Sequence, residues 1–97
     1  TRQALHLGLD GVPEGIDPEA VAREIAAEPE VAEVHDMHIW ALSTTRTALA
    51  AHVVHDAPDA DALIERLAHR IEHAFGIDHV TLQLERRRCA RAGTCAQ

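Results

Sequence analysis

The sequence predicts an α+β fold in which two helices cover one face of an antiparallel sheet, in the order β-α-β-β-α-β. Three observations support this fold: segments in which apolar residues alternate, segments in which they recur every three or four residues, and Gly- or Pro-containing breaks between them. The order matches a split βαβ unit, which leaves the second face of the sheet uncovered. A chain of 97 residues forms one such domain, to which we assign residues 1–86, with residues 87–97 as a C-terminal tail.

The first strand is predicted within residues 4–9, where Leu5, Leu7 and Leu9 occupy alternate positions. Two glycines and a proline in residues 11–15 then break the pattern. This strand is therefore short, with indefinite bounds.

The first helix is predicted to begin at Asp17 and Pro18. Asp17 can cap the free amide groups of the first turn, and Pro18 fits there because its missing donor would be unpaired anyway. Val21 and Ile25, four residues apart, face the core, and Pro29 ends the helix.

Two strands follow as a hairpin. Residues 31–42 are rich in Val, Ile and Trp, residues 43–46 turn the chain, and residues 47–54 return as the next strand.

The second helix shows the strongest periodicity in the chain. Its apolar residues recur at three- and four-residue spacing: Ala60, Leu63, Ile64, Leu67, Ala68, Ile71 and Phe75. Burial of each large aliphatic side chain in this stripe contributes about 1.5–3 kcal/mol before ordering entropy is subtracted. Gly76 fits the C-cap of the helix.

The last strand is predicted over residues 79–85. Val80, Leu82 and Leu84 share one face, and the alternate face is polar, so one side of this strand is exposed to water.

Charge and composition narrow the possible functions. The net charge of −7 argues against a nucleic-acid partner, which requires Lys and Arg to neutralise phosphates. No nucleophile and base are paired as in an enzyme, and no apolar run reaches the length of a membrane helix, so we expect a soluble, non-enzymatic domain. Eight histidines are unusual for this size and indicate metal binding.

Strand alternation places two metal-binding residues on the uncovered face. His52 lies opposite the Leu49 and Val53 face of its strand, and Glu85 shares the parity of Gln83, away from the core. With a histidine from residues 34–42 they form a set of two imidazoles and a carboxylate, which suits zinc and similar ions. Ordinary surface histidines explain the same spacing about equally well.

Two histidines compete for the third position. If Met37 and Ile39 face the core, strict alternation favours His38. His35 shares the parity of Met37 and reaches the open face only if it precedes the regular strand or lies at a β-bulge.

Four blocks of sequence resemble one known family. The run from Val34 through His35-Asp36-Met37-His38-Ile39-Trp40 to Leu42, with residues 11–15, 50–53 and 81–85 around it, is similar to the C-terminal domain of the cation diffusion facilitators. The similarity is to the bacterial cobalt-zinc-cadmium resistance type and the animal zinc transporters, and it covers almost the whole chain.

The resemblance implies a cytoplasmic domain of a membrane exporter that exchanges zinc, or a related ion such as cobalt, cadmium or nickel, for protons. It implies six transmembrane helices upstream of Thr1, a homodimer, and a ferredoxin-like, metallochaperone-like fold. Carried over by position, the metal ligands are His35, His52 and Glu85. Metal binding near the dimer interface would favour closure of the two protomers and promote transport; the alternatives are a purely structural dimerisation module or a free-standing metal-binding protein.

The chain departs from the family pattern at two positions. Some members have a histidine at Gln83 and another near Asp61, so a full binuclear cluster is in doubt, although Asp59 or Asp61 could supply an oxygen ligand. Cys89 and Cys95 in the tail are further candidate zinc ligands, or else reduced, unliganded thiols.

Other residues receive simpler interpretations. Trp40 is expected to serve packing or a dimer contact. The remaining histidines are interpreted mainly as surface residues: His6, His55, His69, His73 and His79.

Overall fold

The structure, a computed structural model, describes residues 7–8 and 12–86, with side chains from residue 12 onward. Its elements are β1 (Leu7–Gly8), α1 (Pro18–Ala26), β2 (Val31–Ala41), β3 (Thr47–His55), α2 (Ala60–Phe75) and β4 (His79–Arg86). The predicted α+β class and the order α-β-β-α-β are confirmed. The rest of the predicted first strand, and the tail with Cys89 and Cys95, lie outside the described residues.

The sheet is mixed, with the strand order β1-β2-β3-β4. β2 and β3 form the antiparallel hairpin, whereas β1 runs parallel to β2 and β4 runs parallel to β3. The prediction of an antiparallel sheet with a split βαβ unit is therefore wrong. The long α2 connection returns the chain to the end of the sheet where β3 began, so β4 becomes the parallel, hydrogen-bonded neighbour of β3 with no strand between them.

Both helices begin where their sequences predict, and α2 also ends as predicted, whereas α1 ends at Ala26, before the predicted stop at Pro29. The Asp17 carboxylate accepts a hydrogen bond from the Glu19 amide at 3.0 Å, and the Asp59 carboxylate accepts one from the Ala62 amide at 3.2 Å. Gly76 ends α2 with φ of 73°, a left-handed conformation that favours glycine.

One aliphatic core lies between the helices and one face of the sheet. It includes Val21 and Ile25 of α1, alternate residues of β2 and β3, and Leu63, Leu67 and Ile71 of α2. Ile64, predicted to be buried with this stripe, is instead 36% exposed. It lies at the edge of the stripe, beside the fully buried Leu63. Neither helix in the described part of the chain has the length and apolar character needed to cross a bilayer.

A group of five charged residues, here called the helix cluster, joins α1 to α2: Glu24, Glu28, Glu30, Arg66 and Arg70. Arg70 donates to Glu24 and to Glu28, each at 2.8 Å, and Arg66 donates to Glu28 at 3.4 Å and also to Glu30. The Glu28 side chain is only 10% exposed. Two arginines thus neutralise a nearly buried carboxylate beside the core.

His55 differs from its predicted surface position. It is 3% exposed, and its Nδ1 accepts a hydrogen bond from the Ala57 amide at 3.0 Å. As the last residue of β3 it continues the core face of Ala51 and Val53. His69, His73 and His79 are exposed, as predicted.

Candidate metal centre

A β-bulge at Asp36 determines which side chains of β2 reach the open face of the sheet. His35 pairs with His52 of β3, and His38 pairs with Ala50, so two residues of β2 stand opposite Ala51 alone. Asp36 has φ of 53°, in the left-handed region that Asp tolerates better than most non-glycine residues. It is the extra residue of the bulge.

The bulge places His35 and His38 on the same face. Met37 and Ile39 are each 1% exposed in the core, as assumed from the sequence. The extra residue breaks the alternation between His35 and Met37, so the expectation that they share a face is wrong. The condition set by the sequence, that His35 reaches the open face only through an irregularity, is met.

Four side chains meet on this face and are here called the sheet cluster: His35, Asp36, His52 and Glu85. His35 Nε2 lies 3.2 Å from Glu85 Oε1, and His52 Nδ1 lies 3.0 Å from Glu85 Oε2. Asp36 Oδ2 lies 3.4 Å from His35 Nδ1 and 3.9 Å from His52 Nδ1. Three adjacent elements, β3, β4 and the bulge of β2, therefore place two imidazoles and two carboxylates together.

The donor set fits a divalent metal ion. Zinc bound tetrahedrally by imidazole nitrogen and carboxylate oxygen keeps its ligand atoms about 3.4 Å apart. One donor atom from each of His35, Asp36 and His52 falls within 4.8 Å of the others, and the two imidazole rings are 5.1 Å apart. Small rotations of part-exposed side chains would bring these donors to bonding positions.

The electrostatics of His35 also favour a positive charge at this position. Desolvation acts to lower the pKa of its imidazole, but the hydrogen bond and charge of Glu85, followed by those of Asp36, raise that pKa above the ordinary value of 6.5. Both ring nitrogens face carboxylate oxygens, and both can donate only when the imidazole is protonated. The surroundings of His35 thus stabilise its protonated, positively charged form.

The other predicted ligands that the structure describes are His38, Asp61 and Asp59. His38 is exposed and lines a depression of about 370 Å³ next to His52, together with Asp36 and Gln83. Asp61 is exposed in the first turn of α2. Asp59 is already engaged as the cap of that helix.

Sequence reasoning missed Asp36 as a member of the cluster. On strict alternation Asp36 shares the face of His38, but nothing in the pattern indicated that it would approach His35 and His52. Two residues on one face of a regular strand are an even number of positions apart, whereas His35 and His38 are three apart. If both histidines are taken as ligands on one face, that spacing is the sequence signal of the bulge.

Apolar side chains extend the open face beyond the sheet cluster. Trp40 pairs with Ala48 across the hairpin and is 38% exposed, and Leu42 is 47% exposed. Large exposed apolar residues on an uncovered sheet are typical of a contact surface.

Comparison with known proteins assigns the family. Residues 13–87 match the family described as cation efflux protein, cytoplasmic domain. The chain belongs to this family. The resemblance to the cation diffusion facilitators is thereby confirmed, and this cytoplasmic domain is part of a transporter family rather than an enzyme family.

Two curated relatives of this cation efflux domain are full-length transport proteins. The metal cation efflux system protein CzcD of Cupriavidus metallidurans is 38% identical over 94 residues, which cover 94% of this chain and 29% of CzcD. The cadmium, cobalt and zinc/H(+)-K(+) antiporter of Bacillus subtilis is 33% identical over 89 residues, 88% of this chain and 28% of that protein. The chain thus spans less than a third of either relative.

A solved structure agrees with the fold. The metal-bound C-terminal domain of the CzcD transporter superposes with a TM-score of 0.67 at 36% sequence identity, covering 72% of this chain and 99% of that domain.

Proposed function

We propose that this chain is the metal-sensing and dimerisation domain of a proton-coupled efflux transporter for zinc, cobalt or cadmium. The observation that carries the proposal is the convergence of His35, His52 and Glu85 on one uncovered face of the sheet, with Asp36 beside them. The relatives, a metal cation efflux protein and a cadmium, cobalt and zinc antiporter, support a divalent metal ion as the transported cargo. The membrane helices that the resemblance implies upstream of Thr1 belong to the same proposal.

In this mechanism the sheet cluster holds the ion, and its two carboxylates couple ion binding to the approach of the second protomer. Without a metal ion, Asp36 and Glu85 leave negative charge on the open face, which opposes the approach of an identical face. Ligation by His35, His52 and a carboxylate removes that charge and favours the closed arrangement of two protomers. The ion selects closure only if it binds the closed state better, so a ligand or its surroundings must change between the two states.

Calorimetric titration of the chain with zinc tests the ligand assignment. His35→Ala, His52→Ala and Glu85→Ala should each weaken zinc binding by at least about 10-fold, because each removes a group in direct contact with the ion. His79→Ala removes an exposed histidine at the start of β4 and serves as the matched control. If all three variants bind zinc as tightly as the unmodified chain, the ligand assignment is wrong.

A second measurement addresses closure. Small-angle X-ray scattering with and without zinc should show a more compact dimer in the presence of the ion. An unchanged particle shape would count against closure.

The exposed Trp40 and Leu42 favour an alternative, a structural dimerisation module in which metal binding is incidental. That alternative predicts a stable dimer in chelator and transport by the full-length protein that survives loss of His35 and His52. The sensing proposal predicts impaired transport in the same variants.

A further inference from the structure

The outer face of α2 carries a second pair of histidines, far from the sheet cluster in the fold. His69 and His73 are four residues apart, so they lie one above the other on the helix surface. Their ring centroids are 6.0 Å apart and their planes differ by 24°. Both side chains are exposed, so both can change rotamer without disturbing the core.

A carboxylate lies next to this pair. Glu72 follows His69 by three residues and lines the same surface depression as the two histidines. Among residues 12–86 no ion pair engages Glu72, because the nearest arginines of α2, Arg66 and Arg70, are held by the three glutamates of the helix cluster. The carboxylate is thus available to a cation.

Two wider electrostatic effects favour a cation at the same place. His73 lies in the last turn of α2, where the unpaired carbonyl groups give the helix end a partial negative charge. The chain as a whole carries a net charge of −7. A divalent ion is therefore attracted toward this end of the helix.

We propose that His69, His73 and Glu72 form a second divalent-metal site on α2, separate from the sheet cluster. Two imidazoles and one carboxylate suit zinc, nickel and copper, with water completing the coordination at this exposed position. The α2 side chains that face the core, Leu63, Leu67 and Ile71, lie on the opposite side of the helix, so the site contacts solvent and not the sheet. It binds metal independently of dimer closure.

The test is NMR of the histidine ring signals during titration with zinc. It uses the 97-residue chain without a polyhistidine tag, carrying His35→Ala, His52→Ala, Cys89→Ser and Cys95→Ser to remove the other candidate ligands. The His69 and His73 signals should shift together and saturate. Adding His73→Gln should weaken this binding by at least about 10-fold, whereas the matched surface change His79→Gln should leave it unaltered.

Two outcomes would overturn the proposal: ring signals of His69 and His73 that stay unchanged at about 1 mM zinc, or binding that His73→Gln does not weaken. The same signals in the otherwise unmodified chain provide the readout if the multiple variant does not fold. Loss of binding at the sheet cluster alone would leave the α2 signals responsive, so the two proposals fail separately.

Discussion

The helix cluster and the sheet cluster are both small networks of charged side chains, but they are built from different groups. The helix cluster pairs two arginines with three glutamates, and arginine keeps its charge at every pH a cell reaches. The sheet cluster pairs two imidazoles with two carboxylates, so its positive charge depends on protons. In the helix cluster every charged group already has an oppositely charged partner within the protein. In the sheet cluster the carboxylates face a positive charge only when an imidazole has bound a proton or the cluster has bound a metal ion.

The difference assigns the two networks different roles. The helix cluster neutralises Glu28 next to the core and fixes α1 against α2, so it acts on stability. The sheet cluster lies on a part-exposed surface, where its carboxylates favour a positive charge on His35, so we propose that it acts on binding. Three experiments test this division of roles.

Removal of both arginines should have the largest effect. Arg66→Met with Arg70→Met leaves Glu28 nearly buried without a counter-charge and should lower the free energy of unfolding by about 3 kcal/mol. Urea unfolding in the presence of chelator measures it. Arg23→Met, an exposed arginine on α1, is the control and should change stability by about 0.5 kcal/mol or less. If the double variant is as stable as the control, the helix cluster does not stabilise the fold.

Zinc should have the second-largest effect, and only through the sheet cluster. In a His73→Gln background, free zinc at about 100 times its dissociation constant should raise the free energy of unfolding by about 2.7 kcal/mol, because the ion binds only the folded state. Chelator should abolish the gain, and His52→Ala should reduce it.

Zinc should raise the free energy of unfolding of the arginine double variant by the same amount, although that variant starts from a lower stability. If zinc no longer stabilised the arginine double variant but still stabilised the His52→Ala variant, the roles of the two clusters would be reversed.

The pH dependence should be the smallest effect. Because the folded-state pKa of His35 is raised above 6.5, its stabilising contribution is fully present below about pH 6.5 and is lost as the pH rises through the folded-state pKa. For a part-exposed pair the contribution should be below about 1 kcal/mol. Zinc affinity should change in the opposite direction and increase with pH, since the imidazole must lose its proton to ligate.

The pH effect is measured as the difference in unfolding free energy between the chain and His35→Gln, in chelator, on both sides of pH 6.5. His79→Gln should leave the pH profile unchanged. A profile that His35→Gln does not alter would exclude His35 as its source.

The local structure of this chain could be predicted closely from its sequence. The bounds of β2, β3 and β4 differ from the predicted ones by one residue, because alternation, capping residues and Gly76 are local signals. Strand neighbours could not be predicted in the same way. An antiparallel split unit and the observed mixed sheet bury the same apolar faces, so residue pattern does not distinguish between them.

The candidate site was predicted only in part. Parity alone placed His52 and Glu85 on the open face, but selected His38 over His35. The bulge arises from the backbone conformation of a single residue, Asp36, and aspartate is common in regular structure as well. Family resemblance indicated His35, while Asp36 became visible only through its contacts.

The bulge also makes its extra residue removable without turning the neighbouring side chains to the other face. His35 and His38 share a face at a separation of three because residues before and after Asp36 follow opposite alternation frames. Deletion of Asp36 alone would restore regular alternation: His35 and His38, then two positions apart, would both stay on the open face, and Val34 would stay in the core. Such a variant would keep His35, His52 and Glu85 on the open face and lose only the Asp36 carboxylate, so it would separate the charge of Asp36 from its place in the backbone.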